Sequence, residues 1–288
     1  MTPPLTAQSY NTGFLPSWCP GCGDFGIWKS LQGAFAKVGI ASDQGLVVYG
    51  IGCHGNMYDW MKMYGFIGLH GRTLPVAQGA KLANHNLPVV IVSGDGDALG
   101  EGGNHFIHAA KRNPDLTVIL HDNQVYGLTT GQAAPTAKAG FKTKSTPEGV
   151  TDEPLSPLAL AVTAGATFAA RGFAGDLPGL TEIMAAAISH KGFSVVDVLQ
   201  PCVTFDKVHT YQWYRQRLYK LADEGYVPND RLKAIEKAVQ WGDKIPLGIF
   251  YKEEKPTSED REPALASGPL VGLPLEISNL DGLINEFV

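Results

Sequence analysis

Hard-cation chemistry is written into two neighbouring stretches of this chain. The apolar run Leu87-Pro88-Val89-Val90-Ile91-Val92 closes on Gly94-Asp95-Gly96-Asp97, and 28 positions after Asp95 a second apolar run delivers Asp122-Asn123-Gln124-Val125-Tyr126-Gly127. With Asp95 as first ligand, Asn123 as second and the main-chain carbonyl of Val125 as third, an octahedral cation such as Mg2+ would gain three protein oxygens. Its remaining positions would fall to two phosphate oxygens and a water. Gly94 and Gly96 permit close backbone approach, while Gly100, Gly102 and Gly103 precede a helix whose amides can face a phosphate. Gly-Asp-Gly alone is a common turn, and the answering asparagine after the next strand separates a site from a turn.

The four cysteines form a second constellation. Cys19 and Cys22 flank the turn in Trp18-Cys19-Pro20-Gly21-Cys22-Gly23, Cys53 follows the strand-like run ending at Tyr49, and Cys202 follows another ending at Leu199. One close pair and two distant singles can converge on one site, beyond the same sheet edge as Asp95 and Asn123. Four thiolates suit tetrahedral zinc or a [4Fe-4S] cluster, and unrelated buried cysteines are the third reading. The magnesium–diphosphate pairing looks like a thiamine diphosphate site, beside which an iron–sulfur cluster has a use that zinc lacks, since it takes electrons singly. His54 and His70 could touch cofactor or substrate. His105 and His108 are expected to be solvated or capping, and His85, His121, His190 and His209 structural.

Positioning these groups requires an α/β fold, a doubly wound, mostly parallel sheet with ligands beyond the carboxyl ends of the strands. The pattern predicts a helix after Asp24 as N-cap, with Phe25, Trp28, Leu31 and Phe35 on one face. Strands are predicted at Leu46–Gly50, Val89–Val92, Leu116–His121, Phe193–Leu199 and Ile245–Tyr251. Further helices are predicted at Pro75–Asn84, Glu101–Arg112, Pro157–Ala164 and Thr181–His190, and a charged amphipathic stretch at Asn229–Trp241. Residues 129–157 have no period and read as a functional or partner-ordered loop. The division expected is one cofactor domain over 1–251 and, over 252–288, a Pro-, Glu- and Ser-rich arm docking on a partner.

Composition narrows the classes. At 288 residues, 44% hydrophobic and 18% charged, with net charge -5, the chain is an ordinary globular one without an electrostatic footprint for nucleic acid. It has no apolar window long enough to span a membrane. Met1-Thr2-Pro3-Pro4 lacks the pattern of a secretory signal, so a cytoplasmic location is expected, where four cysteines suit metal better than disulfides.

Across nearly its full length the chain resembles the beta subunit of 2-oxoacid:ferredoxin oxidoreductases. The resemblance rests on Trp18-Cys19-Pro20-Gly21-Cys22-Gly23, Gly50-Ile51-Gly52-Cys53, His70-Gly71-Arg72, Gly94-Asp95-Gly96-Asp97, the run from Asn123 to Gln132, and Cys202 with Thr204-Phe205. It implies oxidative decarboxylation of a 2-oxoacid with coenzyme A, giving an acyl-CoA, CO2 and reduced ferredoxin. On this likeness Cys19, Cys22, Cys53 and Cys202 hold a [4Fe-4S] cluster, and Asp95, Asn123 and Val125 hold Mg2+. Gly52, His70, Asp97, Tyr126, Gly127, Leu128 and Thr129 line the thiamine, while His54, Asn56 and Leu128 border the substrate. An alpha subunit would bring the pyrimidine-binding domain, and ferredoxin would accept electrons.

Polar His54 and Asn56 could take a second substrate carboxylate by hydrogen bonding, and Thr210-Tyr211-Gln212-Trp213-Tyr214-Arg215 looks like the 2-oxoglutarate branch; pyruvate is the alternative. Two rivals of other classes are a non-oxidative thiamine decarboxylase or carboligase, which has no use for four converging cysteines, and a zinc-stapled non-catalytic subunit, which would carry no thiamine diphosphate.

Overall fold

Strands buried on both faces are rich in apolar residues, and four strands buried along their whole length form the centre of this protein. The computed structural model describes residues 4–273 and 280–288. The stretch Met1-Thr2-Pro3, read above for a signal, and residues 274–279 of the arm lie outside the described residues. In chain order the strands are β1 (Leu46–Tyr49), β2 (Tyr64–Ile67), β3 (Val89–Gly94), β4 (Thr117–Asp122), β5 (Val125–Tyr126), β6 (Gln132–Ala133), β7 (Phe168–Phe173), β8 (Ser194–Leu199), β9 (Leu218–Lys220) and β10 (Ile245–Lys252). The helices are α1 (Asp24–Val38), α2 (Thr73–Ala83), α3 (Gly103–Arg112), α4 (Pro157–Ala164), α5 (Leu177–Ser189), α6 (Tyr211–Arg215), α7 (Arg231–Ala238) and α8 (Leu280–Asn285).

Eight strands pair in the order β2-β1-β3-β4-β8-β7-β10-β9. The run from β2 to β7 is parallel throughout, and β10 enters antiparallel to β7. One apolar layer joins this sheet to α1 and α5 through Ile27, Leu31, Phe35, Leu180 and Met184. The other joins it to α2, α3, α4 and α7 through Leu74, Phe106, Leu158, Val162 and Ala234. Helices on both faces of a mostly parallel sheet make the doubly wound α/β architecture expected. Among the described residues no helix is long and apolar enough to cross a membrane.

The predicted Pro157–Ala164 helix matches its observed bounds, with Ser156 capping it by accepting from Ala159 N–H. The helix expected at Thr181–His190 begins four residues earlier, at Leu177, where Asp176 caps it by accepting from Gly179 N–H; three further elements also differ for physical reasons. Gly23, not Asp24, is the N-cap of α1; Asp24 is the first helical residue and fully buried, its carboxylate engaged with the core. A π-helical turn over Gly96–Glu101 precedes α3, which begins at Gly103 instead of Glu101. β7 escapes the sequence pattern because Arg171 interrupts its apolar run. In the fold this arginine is buried, with Nε donating to Asp197 Oδ2 at 2.8 Å and Nη2 to the Ala238 carbonyl at 3.2 Å.

The edge strand β2 has no sequence signal either, since Tyr64, Phe66 and Ile67 stand 63%, 49% and 46% exposed on a short segment with no buried face. The boundary expected at 251 falls inside β10, and the following residues fold back onto the domain. Glu253 N–H bonds Thr167 O, Ser258 N–H bonds Asn113 O, and Glu259 accepts from Asp115 N–H.

Breaking the buried Arg171–Asp197 pair leaves a desolvated carboxylate without its partner. The substitution Arg171→Ala is expected to lower the unfolding free energy by about 3–5 kcal/mol in denaturant titration; a loss under about 1 kcal/mol, the level of an exposed pair, would contradict the role assigned to it.

Candidate active site

β3 ends at Gly94, and the chain turns at once into the Gly96–Glu101 helical turn, which leaves Asp95 at the carboxyl end of the sheet. Its carboxylate is 1% exposed. Oδ2 accepts from Gln124 N–H at 2.9 Å and from the Thr136 hydroxyl. Burial pushes the Asp95 carboxyl up to about 6 against these hydrogen bonds. Asp122, next to Asn123, is raised well above the carboxylate range, first by burial and then by Asp197 and Asp95. A buried carboxyl held this far up gains from a cation placed against it, which fits the hard-cation role.

A cavity of about 60 Å³ opens beside Asp95. Of the residues expected around the cofactor and metal, Gly52, Cys53, His70, Gly94, Asp95, Gly96, Asp97, Asn123, Val125, Tyr126, Gly127, Leu128 and Thr129 all line it, together with His54 and Ile51. Asp97 ties its walls together. Oδ1 accepts from Gly71 N–H at 2.8 Å and Ile51 N–H at 3.3 Å and lies 2.8 Å from His70 Nδ1, while Oδ2 accepts from the Ser93 hydroxyl at 2.5 Å. Gly96 must be glycine for packing, because a Cβ there would lie 2.5 Å from the Tyr126 ring.

His54 is engaged with the backbone, its Nε2 accepting from Gly94 N–H at 3.0 Å. Burial, then the neighbouring His121, lowers its pKa to about 4 and keeps the ring neutral. Asn56 is exposed and does not line the cavity, so the structure does not bring it to the site where the sequence expected it. The short 3-10 helix Cys53–Asp59 turns it outward.

The four cysteines are free thiols drawn to one region. Gly23 N–H bonds the Pro201 carbonyl at 3.1 Å, setting the Cys19–Cys22 turn against the segment that carries Cys202, and Trp18 Nε1 donates to the Cys53 carbonyl at 2.7 Å. Burial, followed by the charges of Asp24, Cys202 and Cys19, pushes the Cys53 thiol up to about 12. Cys22 is raised by burial, Asp24 and Cys202, and Cys202 chiefly by burial. The donor set is that of a four-thiolate site, yet among the described residues no three His, Cys, Asp or Glu side chains stand in ready ligand geometry.

Two groups at the site carry no sequence signal of their role. Thr136 lies in the aperiodic 129–157 segment, which is anchored where β6 pairs with β5. Asp24 bonds His121 Nδ1 through Oδ1 at 2.7 Å and lies 3.3 Å from Cys22 Sγ through Oδ2, and the His121 and His54 rings are 5.5 Å apart. Only a polar residue inside the apolar face of α1 hints at this.

Residues 50–198 match the family model described as thiamine pyrophosphate enzyme, C-terminal TPP binding domain. Residues 202–267 match the model for the C-terminal part of the pyruvate ferredoxin oxidoreductase beta subunit. The chain is 46% identical to a 2-oxoacid:ferredoxin oxidoreductase subunit beta from Sulfolobus sp, over 85% of this chain and 84% of that one. It is 41% identical to the 2-oxoglutarate synthase subunit KorB of Archaeoglobus fulgidus, over 86% and 89%. Among solved structures, the 2-oxoglutarate:ferredoxin oxidoreductase from Magnetococcus marinus with 2-oxoglutarate, coenzyme A and succinyl-CoA bound superposes with a TM-score of 0.90 at 34% identity, covering 98% of this chain and 95% of that one. With a thiamine-type site at its strand ends and this degree of likeness along its length, the chain belongs to the beta subunits of the 2-oxoacid:ferredoxin oxidoreductases.

Proposed function

We propose that this subunit, joined to an alpha subunit, converts 2-oxoglutarate and coenzyme A to succinyl-CoA and CO2, passing two electrons singly through a [4Fe-4S] cluster to ferredoxin and releasing one proton. The observation that carries this reading is the double placement of Cys53, which lines the cofactor cavity while its thiol shares its electrostatic surroundings with Cys19 and Cys202. When bound, thiamine diphosphate supplies an electron sink at the carbon that loses CO2, and the cluster accepts electrons one at a time.

Each residue has a duty in that scheme. Asp95, Asn123 and the Val125 carbonyl would hold Mg2+, and the amides that open the Gly96–Glu101 turn would be available to a diphosphate. Cys19, Cys22, Cys53 and Cys202 bind iron. Gly52, His70, Asp97, Tyr126, Gly127, Leu128 and Thr129 wall the cofactor, and Asp97 fixes His70. Buried and kept neutral, His54 would present an uncharged face to the cavity it lines. The alpha subunit supplies the carboxylate for the aminopyrimidine and shuts out water.

The choice of 2-oxoglutarate draws support from the Archaeoglobus and Magnetococcus relatives, whose names carry that substrate. Asn56 adds nothing to it, being outside the cavity. A cytoplasmic setting suits reduced thiols and a soluble electron carrier.

Two measurements test this reading. In the anaerobically co-purified alpha–beta complex, 2-oxoglutarate is expected to reduce a viologen dye in a coenzyme A-dependent manner faster than pyruvate does. Dominance of pyruvate would reverse the substrate assignment, and no reduction with either, in a preparation containing iron, sulfide and thiamine diphosphate, would remove the oxidoreductase reading of this complex. Separately, Asp95→Ala is expected to abolish retention of thiamine diphosphate; stoichiometric cofactor in that variant would refute the magnesium site.

A further inference from the structure

We propose that Thr136 is a positioning residue for the metal site, its hydroxyl latching the Asp95 carboxylate so that Mg2+ affinity depends on the loop that follows β6. The inference rests on the reading of Asp95 as a magnesium ligand. Two donors converge on its Oδ2, the Gln124 N–H and the Thr136 hydroxyl, while the Gly96 backbone and the Asp122 carboxyl also hydrogen-bond the carboxylate. Two donors on one oxygen fix the rotation of the carboxylate and leave the other oxygen outside that pair of bonds.

The two donors come from different parts of the chain. Gln124 N–H belongs to the turn between β4 and β5, where Gln124 itself is held at φ 64°. Thr136 is carried on the irregular segment after β6, seated by Ala134 N–H on the Gln124 carbonyl at 3.1 Å and, where the segment returns, by Leu155 N–H on the Pro135 carbonyl at 2.9 Å. Part of the constraint on the Asp95 carboxylate therefore comes from a loop outside the main sheet. Thr136 is 5% exposed and its hydroxyl is spent on the carboxylate. On its other side lies a separate cavity of about 470 Å³, lined also by Asp122, Gln124, Lys138, Arg171 and Trp241. Without the Thr136 donor, the Asp95 carboxylate faces the neighbouring Asp122 carboxyl with one fewer hydrogen bond to hold it toward the cavity.

The test uses the alpha–beta complex stripped of cofactors and titrated with Mg2+ at saturating thiamine diphosphate, binding being read by calorimetry. Thr136→Val keeps the shape and removes the hydroxyl, and is expected to weaken Mg2+ binding by about 10- to 100-fold. Thr136→Ser restores the hydroxyl and is expected to bind as the wild type does. Should the valine variant fail to fold, Thr136→Ala carries the same expectation. A merely structural hydroxyl would lower the melting temperature of the stripped complex and leave Mg2+ affinity unmoved. Wild-type affinity in the valine or alanine variant, or serine as weak as valine, overturns the latch. Asp95→Ala measured alongside separates the two levels: if it loses Mg2+ while Thr136→Val keeps it, only the latch fails, and if Asp95→Ala binds normally, the metal site itself fails.

Discussion

The carboxylate of Asp97 is the knot on which the cofactor cavity depends. It gathers an amide from the loop after β1, an amide and an imidazole from the loop before α2, and the hydroxyl of Ser93 at the end of β3. Those loops have no regular pairing with one another, so their relative placement rests on one acceptor-only group with several lone pairs. The crowding is severe enough that a Cβ on Gly50 would lie 2.0 Å from Asp97 Oδ2. Two residues earlier, Asp95 does comparable work for the segment after β4. A short acidic turn thus organises both walls, and the alternation of strand and helix brings each wall to it.

The thiol region and the cofactor cavity are joined by polar contacts through the core as well as by Cys53. From Cys22 the contacts run to Asp24, then to His121, and then across to His54, whose ring rests on the backbone of Gly94. Asp24 and His121 are both fully buried, which makes this a costly arrangement unless each polar group is partnered. Groups of this kind sit where charge must be managed in a low-dielectric interior, and they lie between the thiol region and the cavity beside Asp95.

Much of this site was legible in the sequence because strand ends are where periodicity stops and ligand residues begin. Asp95 and Asn123 could be paired by counting from one apolar run to the next, whereas the lining residues from Gly52 to Thr129 were expected only from the family resemblance. Contacts set only by tertiary packing were not legible. Nothing local marks Thr136 inside an aperiodic stretch, and Asp24 reads as an ordinary helix cap until its partner 97 residues away is known. The placement of Asn56 was equally hidden: its nearness to Cys53 in sequence says nothing of the 3-10 turn that leaves it exposed and off the cavity lining. Arg171 hid a central strand because a charge inside β7 is tolerable only with Asp197 beside it.

β2 is a short, open sheet margin whose Tyr64, Phe66 and Ile67 remain about half uncovered or more. A parallel edge of that character offers unpaired amides and carbonyls to any passing extended chain, with neither proline nor lysine on the strand to discourage it. The four-residue length of the strand is then its main protection against edge-to-edge pairing. Translating the subunits together is the condition under which such an edge is least hazardous.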